Sequence, residues 1–233
     1  MEEKYKIKKC NSCGYSGTGN YCGNCGQAFK IKRITISTLL QDIFHLFTHF
    51  DKGFGYTLKQ LIIAPGRMQR TFIKGDRSRH QKPFSMFFIC ATFSALCRYW
   101  LLNVYHESNT AEVTFFREYM VFLHIALIPL YALIANLFFY RSGYNYAEMG
   151  VLLLYTLSLL FIVAPFVFLL KFIWPHLDTA YIEFPFFSVY FIITFINFFN
   201  RTPWRKVTLL SLLIILIAFI INQLAEGLAI KLI

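Results

Sequence analysis

The pattern of apolar and polar positions divides this chain near residue 84. Beyond that point the apolar residues come in five long runs: about Phe84 to Leu102, Met120 to Tyr140, Ala147 to Phe172, Ala180 to Asn200 and Val207 to Ala229. At 1.5 Å of rise per residue, each is long enough to cross about 30 Å of hydrocarbon as a helix. The pattern therefore predicts an all-α polytopic membrane protein with about five transmembrane helices over residues 84–233. The third run has length to spare for tilting and carries Pro165 as a kink candidate, while Pro185 falls in the first turns of the fourth.

Before residue 84 the apolar stretches are short and have a helical period. Thr35 or Ser37 can cap a helix in which Leu39, Leu40, Ile43, Phe44 and Phe47 share a face, with Gln41, Asp42, His45 and His49 opposite. Asp51-Lys-Gly-Phe-Gly breaks it. Thr57-Leu-Lys-Gln-Leu-Ile-Ile forms a second piece, stopped by Ala64-Pro65-Gly66. A third piece from Arg67 runs into the basic Gly75-Asp-Arg-Ser-Arg-His-Gln-Lys82-Pro83. Short amphipathic helices flanked by Lys and Arg suit the headgroup region. Residues 31–83 are thus expected to form a basic interfacial platform, with Arg67, Arg70, Lys74, Arg77, Arg79 and Lys82 at the membrane surface. A small soluble helical domain is the competing reading.

Composition agrees with the membrane reading. Hydrophobic residues make up 57% of the chain and charged residues 15%. The net charge of +11 is concentrated: residues 1–83 hold 15 Lys/Arg against 5 Asp/Glu, a balance of +10. Basic charge ahead of a first span is what topology alone requires, so it argues little for nucleic acid. The links holding Arg141 and Arg201-Thr-Pro-Trp-Arg205-Lys206 fall on the same side. The other side has Arg117, Lys171 and Lys231 beside Glu107, Glu112 and Glu118. The expected orientation is N-terminus cytoplasmic and C-terminus outside. The polar start Met-Glu-Glu-Lys-Tyr-Lys leads us to expect no cleavable signal peptide. Trp100, Trp174 and Trp204 fall near span ends, as interfacial anchors do.

The densest chemistry lies in residues 1–30. Cys10-Asn-Ser-Cys13-Gly and Cys22-Gly-Asn-Cys25-Gly are two Cys-x-x-Cys turns, joined by a short connection rich in Gly, Ser, Thr and Asn. Two such turns brought side by side complete a closed tetrahedral S4 shell suited to one structural Zn2+ per chain. So small a segment has almost no core, and the metal would supply most of its folding free energy. Two disulfides would need an oxidising compartment, against the cytoplasmic placement. A thioredoxin-like pair would need a βαβ setting, which is not visible, and the paired knuckles with their glycines favour zinc over an iron–sulfur cluster.

The strings YCGNCGQ, RITISTLLQDIFHLF, FDKGFGYTLKQLIIAPG and GDRSRHQKPFS, in that order over about residues 10–88, resemble a family of small bacterial membrane proteins of unknown function common in Bacteroidetes. The cysteine module is similar to a short bacterial zinc ribbon attached to many unrelated proteins. The resemblance implies Cys10, Cys13, Cys22 and Cys25 as zinc ligands and implies no catalytic residue.

Elsewhere the candidates are sparser. Asp42, His45 and His49 share a helix face and could hold a second metal or form a headgroup-facing polar stripe. Within the spans, Arg98, His124, Glu183 and Glu226 all fall toward the outer leaflet. They suggest an intramembrane polar cluster, with Arg98 opposed by Glu226 or Glu183; snorkelling to the interface is the alternative. Cys90 and Cys97 read as packing residues, and Asn136, Asn197 and Asn222 as interhelical hydrogen-bonding groups. There is no P-loop, dinucleotide fingerprint, His-Glu-x-x-His or nucleophile elbow. The functional expectation is a non-enzymatic adapter or scaffold presenting a basic cytosolic surface. Its expected partners are anionic lipid headgroups and another protein, in a larger complex or alone, with RNA or ribosome contact less favoured. The alternative is a transport or membrane-enzyme core with the ribbon as a regulatory appendage.

Overall fold

The computed structural model describes residues 7–44, 53–104 and 120–232. A two-residue antiparallel pair comes first, β1 (Lys8–Lys9) with β2 (Ser16–Gly17), followed by an isolated bridge between Tyr21 and Ala28. Three short helices follow: α1 (Ile36–Phe44), α2 (Phe54–Ile63) and α3 (Arg67–Ile73). The rest is long helix: α4 (Pro83–Val104), α5 (Met120–Phe138), α6 (Tyr146–Phe168), α7 (Ala180–Phe198) and α8 (Trp204–Leu232). Among the described residues, four of these are long and apolar enough to cross a membrane: α4, α6 with its 3₁₀ extension to Phe172, α7 and α8. The second expected span falls on α5, apolar over Phe122–Phe138 but shorter. Four helices thus reach that length where the apolar runs suggested five. The residues just before α5 lie outside the described set.

Helix α6 is the centre of the bundle. It packs against α4, α5 and α7, and also against α1, α2 and α3. In its most apolar window 61% of residues are buried in protein, against 17% in α7 and in α8, whose other faces are left exposed. A helix so largely buried must satisfy its own polar groups. Thr156 donates to the Leu152 carbonyl and Ser158 to the Leu154 carbonyl, both at 2.7 Å, so neither hydroxyl needs a neighbour. At the start of α6, Asn145 Oδ1 accepts from Glu148 N (2.8 Å) and Glu148 Oε2 accepts from Asn145 N (2.9 Å), a reciprocal cap.

Residues 53–82 do not lie loose over the bundle; they are built into it. Leu61, Met68, Phe72 and Ile73 bury their side chains in the same core as α6 and α7. Tyr190 of α7 donates to the Leu61 carbonyl (3.1 Å), and Arg70 donates to the Asn197 carbonyl (3.0 Å). Thr57 Oγ1 accepts from Gln81 N (2.8 Å), and Tyr155 of α6 donates to the Gln81 carbonyl (2.5 Å). The corner between α2 and α3 presses hardest. Gly66 has φ +77°, and a Cβ there would sit 2.0 Å from the Thr194 carbonyl oxygen. Only glycine lets that corner approach α7 so closely. Ile62 and Ile63 of α2 remain exposed, as does Leu40 of α1.

His80 is enclosed by the same packing. It is buried between Tyr56 (centroids 5.1 Å apart) and Phe72 (6.2 Å), with Nε2 3.8 Å from Asp76 Oδ2. Burial pushes its pKa below the ordinary 6.5; Asp76 opposes that shift and Arg79 adds to it.

Two outcomes are expected. Gly66→Ala should cost about 3 kcal/mol or more by thermal unfolding in detergent. Gly143→Ala, at φ +82° in open space, should cost about 1 kcal/mol. Similar losses in the two would mean that the close approach to α7 is unimportant. His80 takes up its proton less readily in the folded chain than in the unfolded one. Its contribution to stability should be full above pH 6.5 and fall as the pH drops from there toward the folded-state pKa. A pH series of melting temperatures checks this, since His80→Phe should flatten that part of the curve.

Candidate metal centre

Each Cys-x-x-Cys turn folds the same way. Cys10 N donates to the Tyr15 carbonyl (2.8 Å) and Gly14 N to the Cys10 carbonyl (3.0 Å). In the second turn Cys22 N donates to the Gln27 carbonyl (2.8 Å) and Gly26 N to the Cys22 carbonyl (2.9 Å). Gly14 and Gly26 take φ of +76° and +73°, the left-handed step that closes each knuckle. The β1–β2 pair and the Tyr21–Ala28 bridge flank the two turns and set them face to face.

The four sulfurs all lie within 4.8 Å of one another. Cys10 Sγ is 3.6 Å from Cys25 Sγ, and Cys13 Sγ is 3.5 Å from Cys22 Sγ. These are not disulfides; all four cysteines are free. Sulfurs held about 2.3 Å from a central Zn2+ at tetrahedral angles stand about 3.8 Å apart, so the spacing suits a metal ion. Electrostatics differ from thiol to thiol. Burial pushes the Cys22 thiol up to about 11. Burial also raises Cys25, but hydrogen bonds from the Gln27 backbone and the Ser78 hydroxyl, with the Cys13 and Cys10 thiols, outweigh it and bring Cys25 down to about 6.

The module is fastened to the bundle by groups that the sequence reading did not single out. Gln27 Oε1, the residue after the second knuckle, accepts from Ser78 N (3.0 Å) and Arg77 N (3.3 Å). Ser12 and Ser78 hydroxyls meet at 2.6 Å, and Asn11 Nδ2 donates to the Lys74 carbonyl (3.3 Å). Arg33, just beyond the module, makes a two-pronged contact with Glu148 (both 3.0 Å) and donates to the Gly143 carbonyl (2.6 Å). No spacing rule links positions so far apart in the chain.

The six basic residues expected at the membrane surface divide. Arg67, Lys74 and Arg79 are exposed, and Lys82 is half-buried. Arg70 holds the end of α7 through the Asn197 carbonyl. Arg77 turns inward, donating to the carbonyls of Phe72 (3.3 Å), Ile73 (3.4 Å) and Lys32 (3.0 Å) with its guanidinium 5.8 Å from the Phe72 ring centre. His45, His49 and the side chain of Asp42 lie outside the described residues.

Within the bundle, Arg98 of α4 lies in electrostatic reach of Glu183 of α7 and Glu226 of α8. Glu226 is buried, and Asn222 Nδ2 donates to its Oε1 at 2.6 Å. His124 packs edge-on against Phe161, with ring centres 5.8 Å apart. It joins Tyr131, Ser188 and Asn222 around an otherwise apolar cleft of about 230 Å³ between α5, α6, α7 and α8. Cys90 is fully buried, whereas Trp100, Trp174 and Trp204 are exposed.

Comparison with known proteins adds one finding. Residues 51–95, which run from before α2 into α4, match the model of a family described as a protein of unknown function (DUF3667). No curated protein and no solved structure matches the chain.

Gln27→Ala should leave the Ser78 amide without its acceptor, while the Arg77 amide keeps the Gly75 carbonyl (3.0 Å), and weaken docking of the module by about 1–2 kcal/mol. Hydrogen–deuterium exchange of residues 77–78 should quicken while metal content is kept. Unchanged exchange there would mean that Gln27 does not fasten the module.

Proposed function

We propose that this chain is a membrane-anchored zinc-ribbon protein that acts as a non-enzymatic adapter. Cys10, Cys13, Cys22 and Cys25 hold one structural Zn2+, and the module presents a basic surface to another protein at the cytoplasmic side of a bacterial inner membrane. The carrying observation is the four-sulfur cluster, closed on itself and fastened to the bundle through Asn11, Ser12, Gln27 and Arg33. A shell of four thiolates has no open position for substrate, which favours a structural metal over a catalytic one. Rigid attachment suits a module that must present a surface at a fixed height above the membrane.

In this reading α5 is the fifth span. Its 19 residues reach about 28 Å, near the hydrocarbon thickness, and it packs alongside α6 and α8. An N-terminus inside and C-terminus outside follows from five crossings and from the basic residues on the cysteine side. Anionic headgroups are its surroundings; a partner protein is its target.

A transport or membrane-enzyme core is favoured by a separate observation, the approach of Arg98, Glu183 and Glu226 beside the apolar cleft. Glu226→Gln would abolish a physiological activity in that case without lowering membrane abundance.

The test is purification of the intact protein in mild detergent, with zinc and co-purifying proteins quantified together. About one zinc per chain and a stoichiometric partner are expected, both lost in Cys22→Ser while the spans still insert. Partner binding retained by the zinc-free variant would overturn the adapter role.

A further inference from the structure

On the face of the bundle that carries the cysteine module, a cleft of about 270 Å³ opens between the end of α3 and two interhelical links. Lys74 enters from α3, Ser142 and Tyr144 from the link between α5 and α6, and Asn200, Arg201 and Thr202 from the link between α7 and α8. Phe198 and Phe199 form an apolar wall. We propose that this cleft binds a phosphate group, carried by a lipid headgroup or by a small soluble phosphate ester.

Donor chemistry carries the assignment. Two cations, Lys74 and Arg201, reach the cleft from separate elements, and among the described residues no carboxylate lines it. Glu148, an acid within electrostatic reach of Tyr144, is engaged by Arg33. Cations beside helix C-termini also complement the helix dipole, yet here four carbonyls at or near the cleft already have donors. The Lys74 carbonyl accepts from Asn11, Gly143 from Arg33, Asn197 from Arg70 and Phe199 from Thr202 N. With those acceptors taken, the lining offers an ammonium, a guanidinium, two hydroxyls, a phenol and an amide. A ligand rich in acceptors and negatively charged fits such a lining. Arg70 and Arg201 both act on the Tyr144 phenol from within electrostatic reach, with Glu148 opposing them. The volume exceeds what a bare phosphate needs and leaves room for an ester group against Phe198.

Two of the hydrogen bonds that tie down the N-terminal segment, Asn11 to Lys74 and Arg33 to Gly143, close on residues lining this cleft. The inference does not rest on the adapter role: its variants leave the cysteines untouched, and their zinc content is measured alongside.

The experiment uses the full chain in a phosphate-free maltoside detergent, read by native mass spectrometry. The lipid probes are phosphatidic acid and a diacylglycerol with the same chains; the soluble probes are glycerol phosphate and inorganic phosphate. Wild type should retain phosphatidic acid over diacylglycerol. Lys74→Gln and Arg201→Gln should each weaken binding about tenfold, as expected for loss of one charge-assisted contact. Both side chains are exposed, so the melting temperature should hold. Arg205→Gln, which alters a cation stacked on Trp204 outside the cleft, should bind as wild type does. Displacement of the lipid by glycerol phosphate or inorganic phosphate would assign the site to a soluble ligand; retention against both would assign it to a headgroup. Equal binding of the two lipids without binding of a soluble probe would overturn the proposal. So would unchanged affinity in both Lys74→Gln and Arg201→Gln, or an Arg205→Gln loss as large as theirs.

Discussion

Helix α6 is enclosed by protein over much of its length, and a helix so placed cannot leave a polar group to water. Its interior hydroxyls bond back to their own helix, and its first turn is closed by the reciprocal Asn145–Glu148 cap. Glu148 is then a carboxylate with 6% of its side chain exposed, and an ion so buried requires a partner. Arg33 meets it with a planar fork, two donors to two acceptors, the geometry that best repays desolvation. Enclosing one helix therefore dictates where the chain just after the cysteine module must run.

From that contact outward the architecture has little freedom. Arg33 is close enough in sequence to Cys25 to limit where the module can sit, and Gln27, Ser12 and Asn11 complete its attachment. The turn that receives them, residues 74–78, is itself held by Arg77 through three carbonyls. That turn follows directly on α3, which is wedged against α7 through the Gly66 corner. Cysteine module, short helices and long-helix bundle are thus successive layers of one packed unit. The stretch that matches the family model, residues 51–95, holds most of the middle layer and the start of α4.

Much of this was legible from residue pattern because it depends on local rules. Long apolar runs mark membrane helices since a bilayer forbids unsatisfied backbone over that length. Two Cys-x-x-Cys turns mark a cysteine cluster able to hold a metal ion, since knuckle geometry is set within five residues. The segment from 53 to 82 was harder to read. Its amphipathic period is the same whether the apolar side faces lipid or protein, and here Leu61, Met68 and Phe72 face α6 and α7. Arg77 shows the same ambiguity, since a basic residue in a basic run has no local feature that tells an inward bracket from a headgroup contact.

The sequence by itself determined the helical membrane class, the cysteine cluster and the start of the first long apolar helix, because each is encoded in neighbours along the chain. Tertiary structure alone decided that α6 is central, that Gly66 is a point of contact, and that Arg33 belongs to Glu148. It also decided that Lys74 and Arg201 share a cleft. Each of these joins residues tens to more than a hundred positions apart. Such pairings follow from how helices pack, and no periodicity within a single helix carries them.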